Sequence, residues 1–428
     1  MPESNLYEDK LPGLLQQTGS ERLSDEQQRF LSGQAQLFRF TQQELKQLCD
    51  MAVDLAMWNA GTMEQVWPLV PNEGLGPKQR RQRLLQAVRT HWQTLREQPT
   101  RYPEIPVSSS YSAERIQRVN VEKDHLGLGW CPVASTRTRC CNLMTLDAVE
   151  NCGFDCSYCS IQSFYHGDEV RFDSRFTEKL ARLEIDPDRF YHIGTGQSSD
   201  SLMWGNQAGI LDALLNFAAQ HPNVILELKT KSKNINHLLK HEVPPNVLCT
   251  WSLNTPTLIA NEEHLTASLD ERLRAARRLA DKGIVVGFHF HPMIHYDHWR
   301  EDYGELFQRL TGEFDAHEVA LVSLGTLTYI KPVIKQLRAR PGFQSRVLQM
   351  PMVEADGKLS YPDEIKQEMF SFAYHTLESW HDEVFFYLCM ENPRFWQPVF
   401  GFDYPSNEAF ETAMKEHYLA KISARRSD

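Results

Sequence analysis

Three cysteines, Cys152, Cys156 and Cys159, fall within eight residues of the stretch ENCGFDCSYCSIQSFY, separated by three residues and then by two. Thiolates are the natural ligands of iron–sulfur clusters, and a [4Fe–4S] cube normally takes four of them. Three leave one iron open. An open iron can chelate the amino and carboxylate groups of S-adenosyl-L-methionine (SAM), and an electron from the cluster can then cleave the C–S bond to give a 5′-deoxyadenosyl radical. Two other uses of the same thiols compete. A structural zinc site would take His166 as fourth ligand, at a spacing that fits zinc knuckles poorly. A purely electron-carrying cluster would need a fourth thiolate from Cys249 or Cys389, both far along the chain.

A second group of candidates lies in FHFHPMIHYDHW. His289 and His291 are two apart on an expected strand and so point to one side, with His295 and His298 in the loop that follows. They are a polar pair lining a barrel, a metal site with Asp297 as the nearby carboxylate, or groups that hydrogen-bond a substrate and relay protons. The adjacent Cys140 and Cys141 are a weaker candidate for a second metal, together with Cys131. Cys389 in FFYLCMENP either reaches the mouth of the barrel or, more in keeping with its apolar setting, is a buried structural cysteine.

These residues need elements to hold them. The chain of 428 residues is 41% apolar, enough for two or three cores. From Asn142 onward, short apolar runs (NLMTLDAV, FYHIGTG, VILELKT, VLCTWSLN, GIVVGFHF, EVALVSL) alternate with amphipathic segments such as SLDERLRAARRLADKG. Strand, helix, strand, helix calls for a parallel sheet, and six such units predict a partial (β/α)₆ barrel over residues 142–342. The three cysteines follow its first strand, at the C-terminal mouth where parallel barrels place their chemistry. Residues 1–110 show helical periodicity after Thr41 and after Pro77; 111–141 is a connector. Residues 343–428 begin with a hairpin at Asp356-Gly357 and continue into a helix from Pro362. Lys78, Arg80, Arg81 and Arg83 form either a nucleic-acid face or, more in keeping with charged helices, a solvated one.

The cysteine motif, with Tyr158 just before its third cysteine, resembles that of the radical SAM enzymes. From about Cys152 to Gly342 the chain resembles the spore photoproduct lyase family, in the stretches KTKSKNINHLL, TWSLNT, LDERLRAARRLADKGIVVGF and HWREDYGELFQRL. The resemblance implies a radical SAM barrel, a [4Fe–4S] cluster on Cys152, Cys156 and Cys159, SAM held around Ser199, Lys231 and Ser252, and a reductant such as flavodoxin or ferredoxin. It also implies a lyase that reverses a thymine dimer in DNA. The implied roles make physical sense. Gly194 and Gly196 let backbone approach the SAM amino group, Lys231 suits its carboxylate, and Ser252 and Asn254 share a strand face that can bind its ribose. Without the resemblance, Lys231 is one more surface lysine in KTKSK.

This sequence departs from the family at two positions. The family's hydrogen-donating cysteine is replaced by Gln197, and the tyrosine after the third cluster cysteine is replaced by Ser160. An S–H bond yields hydrogen to a carbon radical; amide N–H and hydroxyl O–H bonds do not. With about 3.3 Å of rise per residue along an eight-residue first strand, Cys140 and Cys141 are expected near the opposite end of the barrel, too far to substitute. The hairpin VLQMPMVEADGKLSYPDE is net acidic where the family's is basic, which argues against duplex DNA, as does the net charge of −11.

Clustered cysteines and an acidic, polar N-terminus point to the cytoplasm, and no apolar run is long enough to span a membrane. The expected function is a cytoplasmic radical SAM enzyme that abstracts hydrogen from an unidentified substrate, with Tyr158, Gln197, His289 and His291 at candidate catalytic positions. The alternatives are DNA photoproduct repair, and a non-catalytic iron–sulfur or zinc protein that binds a partner through its N-terminal helices.

Overall fold

The computed structural model describes residues 7–69, 74–103, 116–131, 137–165, 169–340, 342–355 and 357–425. The zinc candidate His166, the turn residue Asp356 and much of the expected connector lie outside them. The chain forms two compact units, residues 1–110 with 330–352, and residues 111–329 with 353–428.

The first unit is helical, as its periodicity requires. Helix Asp25–Phe38 is capped by Ser24, helix Gln42–Met57 by a reciprocal Thr41/Glu44 capping box, and helix Pro77–Glu97 starts on its proline. Leu31, Leu45, Leu48, Leu84 and Val88 form the core between them. Helix Lys331–Ala339 joins this unit and buries Val333 and Leu337. Its Arg338 makes a two-pronged bond to the buried Asp54, at 2.8 and 2.7 Å, and Trp92 Nε1 donates to the same carboxylate at 3.0 Å. Arg81 donates to the Arg39 carbonyl and Arg80 lies over the Phe38 ring, so of the four basic residues considered only Lys78 and Arg83 are exposed.

The second unit is built on an eight-stranded sheet. In chain order its strands are β1 (Leu128–Trp130), β2 (Met144–Leu146), β3 (Tyr191–Thr195), β4 (Val224–Thr230), β5 (Val247–Ser252), β6 (Val286–Met293), β7 (Val319–Thr326) and β8 (Phe385–Leu388). They are ordered β8-β7-β6-β5-β4-β3-β2-β1. All neighbours are parallel except β1, which runs antiparallel on the β2 edge. All six expected strands are present. The sheet gains an edge strand at each side: β1 is three residues long, and β8 is a four-residue run between helical segments, both too short to carry a period.

Strands β5 and β7 are buried throughout, which is why they read as near-continuous apolar runs. Helices Ile210–Gln220, Leu269–Asp281 and Trp299–Glu313 make crossovers between parallel neighbours; Leu269–Asp281 starts in a Ser268/Glu271 capping box. The expected hairpin is present as Val353–Ala355 and Lys358–Ser360, extended to three strands by Thr328–Tyr329. Helix Asp363–Thr376 follows it. Among the described residues no helix is long and apolar enough to cross a membrane.

Within the apolar strands, polar residues recur with a period of two: Glu227 and Lys229 on β4, Thr250 and Ser252 on β5, His289 and His291 on β6. That period puts them on one face of the curled sheet, its inside.

Candidate functional site

The cysteine loop leaves the short strand Val149–Glu150 and is fastened along its length. Asp155–Cys156 pairs antiparallel with Glu263–His264, with Cys156 opposite Glu263. The Ser157 amide donates to the Glu262 carbonyl at 2.9 Å, and its hydroxyl to the Glu262 carboxylate. Tyr158 donates its phenol to Glu263, whose other oxygen accepts from Arg272 Nη2 at 2.5 Å. Burial alone would raise the Glu263 pKa, but Arg272 and Lys231 outweigh it and hold the carboxyl down to about 2. Gln162 Nε2 closes the loop onto the Cys159 carbonyl at 2.7 Å. Tyr158 therefore acts as a brace for the loop.

Cys152, Cys156 and Cys159 all face one cavity of about 270 Å³ inside the sheet. Burial pushes the Cys152 and Cys156 thiols well up. Buried thiols of this kind give up their protons to a metal, whose charge replaces the proton's, so the donor set fits an iron–sulfur cluster by its chemistry. As they stand, no three His, Cys, Asp or Glu side chains among the described residues are gathered closely enough to hold a single metal ion.

The residues expected around SAM divide into two groups. Gly194, Gly196, Gln197, Ser199, Lys231 and Ser252 line the same cavity. Lys231 Nζ donates to Ser252 Oγ at 2.6 Å and lies 3.7 Å from Glu263. Gly196 has φ +79°, and a Cβ there would meet Ser201 Oγ at 2.6 Å, so the turn after β3 requires glycine. Asp200 locks that turn to the end of β4, accepting from Lys231 N and Thr230 Oγ1, each at 2.7 Å, and from the Leu202 and Met203 amides. Ser199 Oγ accepts from Trp204 Nε1 at 3.2 Å. Asn254 is different: only 1% exposed, it is not on the cavity wall, and its amide is engaged by Tyr303, Pro292 and Glu263.

His289 and His291 do face one side and line the cavity. Glu227 accepts from His192 Nε2 at 2.8 Å, His289 Nε2 at 2.7 Å and Thr250 Oγ1 at 2.7 Å. Ser323 Oγ bridges His289 Nδ1 at 2.6 Å and His291 Nε2 at 3.1 Å. Burial lowers the His289 pKa to about 4 and keeps His291 well below its usual value, so both imidazoles are neutral. Glu227, with three donors, is the anion of the group. In the loop beyond, His295 donates its amide to Tyr361 Oη at 2.9 Å, and His298 is exposed.

The remaining thiols require a correction. Cys141 does not lie out of reach of the loop: Cys131, Cys141 and Cys389 line the same cavity as the three loop cysteines. Strand β2 has three residues where the sequence pattern implied eight, so little separates Cys141 from the cavity along the barrel. The Cys131 amide pairs with the Leu143 carbonyl at 3.0 Å, and Cys389 follows β8, its amide on Leu324 O at 2.8 Å. Burial pushes the Cys389 thiol up to about 12. A hydrogen bond from Cys141 lowers the Cys140 pKa to about 6.

Sequence reasoning missed the loop's anchors Glu262, Glu263 and Arg272, the turn lock Asp200, and Glu227 with Lys229. Only the last pair left a signal, two charges at alternate positions inside the apolar run VILELKT.

Comparison with known proteins agrees with the resemblance. A family profile described as spore photoproduct lyase matches residues 151–337. The spore photoproduct lyase of Clostridium acetobutylicum is 25% identical over 182 residues, 41% of this chain and 53% of that one. That of Bacillus subtilis is 33% identical over 85 residues, 20% of this chain and 25% of that one. The chain thus spans about half the length, or less, of the curated relatives it matches. In fold it is similar to spore photoproduct lyase complexed with dinucleoside spore photoproduct (TM-score 0.55, 19% identity, 67% of this chain and 88% of that one). It is similarly close to a variant of that enzyme with bound AdoMet and the dinucleoside (TM-score 0.53, 20% identity, 67% and 88%).

Proposed function

We propose, starting from a barrel similar to the spore photoproduct lyases, that this protein is a radical SAM enzyme acting on a substrate held inside the sheet. Cys152, Cys156 and Cys159 would hold a [4Fe–4S] cluster which, with SAM and an electron from a donor such as flavodoxin or ferredoxin, supplies a 5′-deoxyadenosyl radical for hydrogen abstraction. One observation carries the reading: three cysteines on a braced loop face the same cavity as the Lys231–Ser252 pair. Lys231 offers the charge for the SAM carboxylate and Ser252 a hydroxyl beside it. Gly194 and Gly196 leave backbone open to the amino group, and Ser199 adds a hydroxyl on the same turn. Asn254 serves this site by position, holding Glu263 and hence the loop. Gln197 faces the cavity and is placed to contact substrate.

Photoproduct repair stands as a second reading because of the thiols. Gln197 and Ser160 cannot donate hydrogen to a carbon radical, but Cys131, Cys141 and Cys389 face the cavity with S–H bonds that can.

Anaerobically reconstituted protein is expected to hold about four irons per chain and to form 5′-deoxyadenosine from SAM under reduction. Cys156→Ala should lose both. Stoichiometric zinc without iron, or an unchanged 5′-deoxyadenosine yield in that variant, would overturn the proposal. Dimer-containing DNA offered in the same assay separates the readings, since many clean turnovers favour repair and none favours another substrate.

A further inference from the structure

Strand β4 carries Glu227 and Lys229, and Lys231 follows its last residue at the next alternate position, so all three side chains line the inside of the sheet, each about 6.6 Å from the next along the chain. The outer two are answered. Glu227, deepest, has its carboxylate filled by His192, His289 and Thr250, and Lys231, at the strand end, meets Ser252 and Glu263.

The side chain of Lys229, between them, makes no hydrogen bond or ion pair with any other described residue, although it lines the cavity. Lys229 is half-buried in the cavity wall, and an ammonium drawn away from bulk water without a counter-charge is costly. Burial pulls its pKa down, while Glu227 and the thiols of Cys389 and Cys131 act in the opposite sense. Glu227, two residues away on the same strand, is already engaged by three donors, and the imidazoles of His289 and His291 are bonded to Ser323. What the cavity lacks at this level is a negative charge.

We infer that the middle of the cavity is an oxyanion subsite, where Lys229 pairs with a carboxylate or phosphate group of the substrate. A lysine suits either, because its ammonium is a point charge without the fixed fork of an arginine. The position is one step deeper than Lys231, so SAM and the anion have separate cations. That the anion belongs to the substrate rests on the proposed function; that an anion binds at Lys229 does not.

The test uses reconstituted full-length protein with SAM bound, titrated calorimetrically with inorganic phosphate and, separately, with acetate at constant ionic strength. One site per chain is expected for at least one anion, with affinity reduced about tenfold or more in Lys229→Met and largely restored in Lys229→Arg. If Lys229→Met does not fold, Lys229→Gln gives the same comparison. A phosphate site indicates a phosphorylated or nucleotide substrate; an acetate site indicates an organic acid. No saturable binding of either anion, equal affinity in the neutral variants, or loss of SAM binding with anion binding intact would overturn the inference. Iron and SAM are assayed on the same sample, so protein that holds both but no anion sinks this inference alone. Protein that binds the anion but no iron sinks the proposed function alone.

Discussion

Lys231 and Lys229 are one pleat apart and answer to different chemistry, because the side chains facing them differ. Lys231 reaches Ser252 on β5 and the buried Glu263, so part of its charge is already balanced before a ligand arrives. Replacing it by Ala should still weaken SAM binding by roughly 1.5–3 kcal/mol, the contribution of a charge-assisted hydrogen bond, with iron content unaffected. Equilibrium dialysis with labelled SAM measures this, and an unaltered Kd would remove Lys231 from the site. At this scale the cysteine triad was legible, since its three thiols are local in sequence. The place of Cys131 and Cys141 on the cavity was not, since the pairing of β1 with β2 at one edge of the sheet brings them there.

Among elements, helix Lys331–Ala339 shows how a single buried pair assigns a segment to a unit. The expected barrel ran through to residue 342, because an amphipathic helix following a strand looks like another crossover. The structure groups 330–352 with the N-terminal helices instead, and Arg338 is bonded to Asp54 across 284 residues of sequence. Asp54 is 0% exposed, so Arg338→Leu leaves a buried carboxylate with only Trp92 as donor among the described residues. Breaking a buried pair from one side costs about 3–5 kcal/mol; with Arg338 partly exposed, the lower end is expected. Urea denaturation of Arg338→Leu checks this. The double variant with Asp54→Leu should recover much of the loss, because the cost lies in the uncompensated charge.

For the whole molecule the buried ionisable network sets the response to acid. Unfolded, His289 takes up a proton as pH falls through 6.5; folded, it resists to about 4. Between those values the unfolded chain binds more protons, so stability falls with pH, by about 3 kcal/mol across the window. His291 acts in the same direction, and Glu263, ionised down to about 2, extends the loss to lower pH. His289→Gln should flatten the decline between pH 6.5 and 4, read from urea midpoints at each pH. An unchanged slope would mean that His289 is already charged in the folded protein.

The sequence by itself determined the parallel α/β architecture, the six inner strands and the cysteine loop at the mouth of the first. Each of these is written in local periods: apolar runs bounded by turns, helical stripes with caps at Thr41 and Ser268, and three thiols within one turn of chain. Tertiary structure alone decided that Asn254 is spent on internal hydrogen bonds, that Tyr158 braces the loop through Glu263, and that the Lys229 side chain has no partner among the described residues. Those outcomes depend on which side chains from distant strands meet once the sheet has curled. Sequence spacing fixes the face on which a residue lies, but its partners are set by the register of neighbouring strands, a long-range quantity that no local pattern carries.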